Sequence, residues 1–277
     1  MSRIGRARVW LALVGTVLAF AACRHPFVRN PHLRLLRWEA ASDRHPIVAP
    51  NGSEVYYISG DSLLCKLDIS SDSASTLRSG GLQAIALSPD GTRLALLGHE
   101  LLLADTTGAV LQTLVPAESL GNEPFDVEFG HDGSLVFYSI GAPECGAWYY
   151  RVSLDGTGRE MVHESYGSAE SPRGEAGFVL TGDGSVTDFY SGRHDWPQLS
   201  PQDNDVMAYA LNWFTSGDIY VTHLSSDSAV GLDCSPYRGS RVAYPSWFPD
   251  GRKIVYCATD GVSAYRYELW MLDSLDY

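Results

Sequence analysis

Beyond residue 22 the apolar positions of this chain fall in short runs that alternate with polar ones, and long runs of helical spacing are missing. Such alternation over four to eight residues sends successive side chains to opposite faces of a strand. The clearest stretch is YPSWFPDGRKIVYCAT at Tyr244–Thr259: an apolar strand, a turn with Asp-Gly, and a second apolar strand. The same order recurs at Ala84–Gly98 (AIALSPDGTRLALLG), Asp126–Ser139 (DVEFGHDGSLVFYS) and Pro46–Ser59 (PIVAPNGSEVYYIS). It returns with a weaker turn at Pro197–Ala210 (PQLSPQDNDVMAYA), and a sixth, least regular copy is AESPRGEAGFVLT at Ala169–Thr181.

The turns carry their own chemistry. In Ser88-Pro89-Asp90-Gly91 proline presets φ, aspartate bonds nearby backbone, and glycine takes the positive φ that a bulged hairpin requires. Recurrence at one offset marks these aspartates as turn residues rather than ligands or acids. The turn glycines are Gly52, Gly91, Gly133, Gly174 and Gly251, with Asp203-Asn204 standing in at the fifth copy. The resulting steps of 39, 42, 41, about 30 and about 47 residues match the period of blade-type repeats. Third strands follow at Leu63–Asp68, Leu101–Asp105, Tyr149–Asp155 and Leu269–Asp273, and fourth strands at Ser75–Arg78 and Val110–Val115. Four antiparallel strands per repeat make a propeller blade. The pattern therefore predicts an all-β fold, a single six-bladed β-propeller over residues 32–277. The last repeat lacks a fourth strand, and His32–Ala40 (HLRLLRWEA) has no hairpin of its own. The first segment is expected to supply the missing outer strand and close the ring, protecting both edges.

The run PSWFPDGRKIVY (Pro245–Tyr256) resembles the PD40 variety of WD40-like repeat found in TolB propellers, and the resemblance extends over about residues 40–277. TolB carries an additional N-terminal domain that 277 residues do not accommodate. The resemblance implies a scaffold for protein contacts. The repeat specifies architecture and leaves the partner open.

The N-terminus adds an address. Met1–Val9 is basic, and Trp10–Ala22 is an apolar run of 13 residues, short of the roughly 20 that span a bilayer. Residues 1–22 read as a secretory signal peptide. Phe20-Ala21-Ala22-Cys23 resembles a bacterial lipobox, which makes Cys23 the expected lipid attachment site and 23–31 a tether; an ordinary secreted protein cut after Ala22 is the alternative. Arg24 follows the cysteine where aspartate would signal inner-membrane retention, so an outer-membrane anchor facing the periplasm is expected in a Gram-negative host. Export permits disulfides. Cys65, Cys145, Cys234 and Cys257 allow three connectivities; Cys65 and Cys257 lie in strand patterns and read as buried free thiols.

The formal charge is −13, which repels phosphate backbones and argues against nucleic acid as a partner. The chain lacks GxSxG, HExxH, a P-loop and a strand-borne GxGxxG, and no cofactor is expected. Gly192-Arg193-His194-Asp195-Trp196 sets an imidazole beside a carboxylate, as general-base sites need, but reads equally as a polar loop with a buried tryptophan. Asn122, Glu123, Asp126, Glu170 and Asn212 are the side chains that would face the axis if this were a propeller with an axial calcium. Trp148 and Trp213 sit near hairpins, where exposed aromatics suit a binding face. Two functions remain open: a non-catalytic protein-binding scaffold or sensor of the cell envelope, whose binding rim would include Ser165–Trp196, and a metal-dependent lactonase or esterase at the channel mouth.

Overall fold

A computed structural model describes residues 30–38, 42–60, 62–120, 124–142, 146–165, 178–180, 186–188, 194–203, 205–211, 218–225, 229–261 and 266–275. The signal segment, Cys23, Cys145 and Gly174 lie outside them. Among the described residues no helix is long and apolar enough to cross a membrane.

The chain opens with β1 (Leu33–Arg37). Blade 1 follows as β2 (Asp43–Val48), β3 (Glu54–Ser59), β4 (Leu63–Asp68) and β5 (Ser73–Ser79). Blade 2 is β6 (Ala84–Leu87), β7 (Arg93–Leu97), β8 (Leu101–Asp105) and β9 (Val110–Val115). A single turn of helix, α1 (Ala117–Leu120), leads to blade 3: β10 (Pro124–Phe129), β11 (Leu135–Ala142), β12 (Gly146–Ser153) and β13 (Glu160–Ser165). A two-stranded ribbon of β14 (Phe178–Leu180) and β15 (Val186–Asp188) comes next. Blade 4 is β16 (His194–Leu199), β17 (Val206–Leu211), β18 (Ile219–His223) and β19 (Ala229–Leu232). Blade 5 is β20 (Val242–Trp247), β21 (Ile254–Thr259) and β22 (Tyr267–Leu272), completed by β1.

The propeller thus has five four-stranded blades and not six. The expected sixth repeat fails on length: 28 residues separate β13 from β16, whereas a blade needs about 40. The described part of that interval is the ribbon, whose β15 lies beside β13 and β14 beside β16. The ring closure does follow the sequence. β1 pairs antiparallel with β22, Leu33 opposite Leu272 and Leu35 opposite Trp270. A bulge between Leu35 and Arg37 breaks strict alternation, so Leu33 and Leu36 both turn inward, to opposite faces of blade 5.

The core lies between blades, and the period of two explains it. On β3, Val55 and Tyr57 pack toward blade 5 while Tyr56 and Ile58 pack toward blade 2. On β7, Leu94 and Leu96 face blade 1 while Ala95 and Leu97 face blade 3. Both faces of each second strand are covered, which is why these strands read as unbroken apolar runs. Full burial of one such leucine or tyrosine contributes on the order of 2 kcal/mol.

The turns behave as their sequence requires. Gly52, Gly91, Gly133 and Gly251 hold φ between +66° and +71°. Asp90 Oδ1 accepts hydrogen bonds from Thr92 N (3.0 Å), Thr92 Oγ1 (2.8 Å) and Ser88 Oγ (2.6 Å), and Asp132 and Asp250 accept from Ser134 N and Arg252 N at 2.9 Å. Adjacent turns also interlock: a Cβ on Gly91 would stand 2.8 Å from Pro50 Cδ, one on Gly133 3.5 Å from Pro89 Cδ, and one on Gly52 3.7 Å from Pro249 Cδ.

Candidate functional site

The inner strand of each blade runs along the ring axis, and four of the five are kinked by a register shift: β2, β10, β16 and β20. In three of them the kink is one bulky residue with positive φ, His45 (49°), Trp196 (52°) and Tyr244 (54°). Each precedes a proline, Pro46, Pro197 and Pro245. Left-handed backbone is costly for a large side chain, and a following proline favours extended backbone instead. Strain repeated at equivalent places in neighbouring blades is a feature of functional sites.

The three strained residues meet. Tyr244 stands between the other two, 4.2 Å from the His45 ring and 4.1 Å from the Trp196 ring, centroid to centroid. Trp196 and Tyr244 also pack onto the core between blades 5 and 1. Together they form one wall of an axial cavity of about 330 Å³, to which the inner strands of all five blades contribute. Ile47, Ile85 and Ala86 line the apolar sector, and Gln198 lies on β16.

The opposite chemistry comes from blade 3. Asp126 stands five residues before His131, the offset that His45, Trp196 and Tyr244 keep from the turn prolines of their blades. Glu128, two residues on, lines the same cavity, while Val127 and Phe129 point into the core between blades 2 and 3. Asp126 Oδ1 accepts a hydrogen bond from Val127 N at 2.9 Å. Glu128 has no hydrogen-bond or ion-pair partner among the described residues. Burial, and then the charge of Asp126, push its carboxyl well above the usual carboxylate range. His45 is driven the other way: burial, with help from Arg44, lowers its imidazole to about 3, so it is neutral through the physiological range and cannot act as a base near pH 7.

Of the residues singled out from sequence, the structure brings Asp126 and Trp196 to this cavity. Asn122, Glu123, Glu170, Asn212 and Trp213 lie outside the described residues, and so does Cys23. His194 and Asp195 begin β16, but their side chains are likewise not described. Among the described residues no three His, Cys, Asp or Glu side chains converge as a metal site would need. Trp148 is partly buried against the core between blades 2 and 3 rather than displayed at a rim. Cys65 and Cys257 are buried free thiols, as is Cys234. His45, Tyr244 and Glu128 were not singled out by the chain's motifs. Their signal is a spacing: an aromatic residue or histidine, then proline four residues before the turn proline, at 45–50, 196–201 and 244–249.

No protein-family model matches the chain, and no curated protein sequence matches it. Solved structures do. A protein assigned as a gluconolactonase aligns over 91% of this chain and 97% of its own, with a TM-score of 0.60 at 15% identity. The tricorn protease aligns over 79% of this chain and 25% of its own, with a TM-score of 0.55 at 15% identity. TolB from Acinetobacter baumannii aligns over 85% of this chain, which spans about half (55%) of that protein, with a TM-score of 0.45 at 16% identity. Identities this low establish one thing about this chain: it is a β-propeller.

Proposed function

We propose that this protein is a recognition propeller of the bacterial cell envelope, anchored by lipid on Cys23, which binds its target without transforming it. The axial cavity is its recognition site. One observation carries the reading: three bulky residues held at strained, positive φ on neighbouring blades, their rings packed at a tilt into one wall of a cavity that every blade helps to line. Such geometry costs stability and serves a preorganised surface. The expected partner is another envelope protein, and the acidic chain does not favour nucleic acid.

The hydrolase reading has one observation of its own. Asp126 and Glu128 share an inner strand, and Glu128 is held toward its neutral form, which is how paired carboxyl groups divide acid and base roles. A single assay separates the two. The purified protein is offered lactones and aryl esters with and without calcium, and turnover that disappears in Glu128→Gln would replace recognition with catalysis. Anchoring is tested independently: mature protein should carry acyl mass, and Cys23→Ser should move to the soluble fraction or stay unprocessed.

A further inference from the structure

We propose that the axial cavity is a cage for an organic cation, seating an ammonium or guanidinium group between the Trp196 and Tyr244 rings and the carboxylate of Glu128. The inference rests on the reading of this cavity as the recognition site and names what it recognises.

The two walls have complementary demands. One is aromatic, and a cation is attracted to the face of such rings, to tryptophan most strongly. The other bears Asp126 and Glu128, and Glu128 has no partner among the described residues although it lines the half-open cavity. An anion would meet two carboxylates. A neutral apolar ligand would leave Glu128 desolvated and unsatisfied, which is costly. A bare metal ion would find carboxylates on one strand only and rings across from them, whereas hard cations need several oxygen ligands. An organic cation satisfies both walls at once. The size agrees: about 330 Å³ lies at the small end of ligand pockets and suits one cationic head group or side chain, not a folded segment. His45 adds no opposing charge, being neutral, and a chain of formal charge −13 draws cations toward it.

Binding should be linked to protons. A bound cation favours ionised Glu128, whose proton must leave, so affinity rises as pH climbs toward the raised pKa. The other titratable groups lining the cavity are Asp126, His131, His45 and Tyr244. Of the strands packed on β10, β6 has no ionisable side chain, β7 has only the exposed Arg93, and β11 only Tyr138, which is turned into the core.

The test is calorimetric titration of the full chain, in detergent, with tetramethylammonium, butylammonium, and the N-acetyl amides of lysine, arginine and norleucine. Saturable binding of the ammonium probes is expected, with none for the neutral norleucine amide. Glu128→Gln and Tyr244→Leu should each weaken it by about tenfold with the thermal midpoint held, and proton release should vanish in Glu128→Gln. Tighter binding of the lysine or arginine amide than of butylammonium identifies a partner's side chain as the natural ligand; equal binding identifies a free amine. Equal affinity for the neutral amide, or indifference to Glu128→Gln, overturns the cation cage but leaves a recognition cavity. Absence of binding by every probe overturns the cage as well, and recognition itself then stands or falls on the catalytic assay.

Discussion

The arc from blade 4 through blades 5, 1 and 2 to blade 3 differs in kind from the seam that returns from blade 3 to blade 4. Along the arc every interface holds a large apolar cluster. Adjacent turns also touch in series. Gly251 lies against Gln202, whose Nε2 donates to Pro249 O at 2.6 Å; Gly52 lies against Pro249, Gly91 against Pro50 and Gly133 against Pro89. At the seam both devices lapse. Blade 3 has His131 where blades 1, 2, 4 and 5 have proline, and the fourth turn reads Gln202-Asp203-Asn204 without a glycine. Among the described residues the facing surfaces carry small clusters, Phe137 and Tyr149 with Phe125, Leu135 and Val162, and Met207 and Tyr209 with Leu199, Tyr220 and Leu224, and the ribbon lies between them. Blade propagation here is a local contact code, turn against turn, and the ring departs from regularity where the code is missing.

The largest effect should come from opening the arc at its covalent gap. Leu33→Ala with Leu36→Ala empties a buried site on each face of blade 5 and should cost about 4 kcal/mol or more in total, seen as a lower urea midpoint. Retention of the midpoint would mean that blade 5 does not depend on β1. Next is a paired substitution in two turns of the arc. Gly91→Ala combines positive φ with a clash on Pro50 and should cost about 3 kcal/mol, against about 1 kcal/mol for Gly133→Ala, where the approach to Pro89 is looser. Equal losses would show that φ alone matters and that the turns do not interlock. His131→Pro restores the arc's turn residue at the edge of the seam and should stabilise the fold by about 0.5 kcal/mol; a loss would mean that His131 has its own structural duty.

The smallest effect is common to both regions. Hydrogen bonds from neighbouring serines, threonines and backbone amides hold the exposed turn carboxylates of Asp68 and Asp90 down at about 2, and lower those of Asp132 and Asp155. A depressed carboxylate contributes stability above its unfolded pKa, near 3.9, and that contribution fades as pH falls toward the folded value. The thermal midpoint should therefore slip between about pH 4 and pH 2. Asp68→Asn with Asp90→Asn should flatten the slope. An unchanged slope would remove these turns from the acid response.

Much of this was readable from the chain because a blade is a local object. β4, β8 and β9 fall where the third- and fourth-strand patterns put them, at Leu63–Asp68, Leu101–Asp105 and Val110–Val115, since hairpin turns and alternation are decided within a few residues. The closing strand was legible from an imbalance, one strand too few at the end and one spare at the start. Blade number was not, because turn spacing near Gly174 matched the period while the interval to β16 could not hold four strands. The cavity was harder still. Its members lie on strands far apart in sequence, and their defining property is backbone strain at His45, Trp196 and Tyr244, which side-chain motifs do not encode. Asp126 was named only as one of five side chains that would face an axial calcium, and the aromatic wall it shares a cavity with depends on how the blades are arranged around the axis.

The pairing of β1 with β22 also sets the order of events in time. Leu33 and Leu272 are about 240 residues apart, and the entropy of joining chain ends rises with the length between them, while non-local pairings are made late and slowly. Of the ring's strands, the one made first is therefore the last to find its place. Until it does, β22 presents an open edge that another chain can occupy. A ring still lacking that one strand is the form in which blade 5 is open to pairing with a second copy.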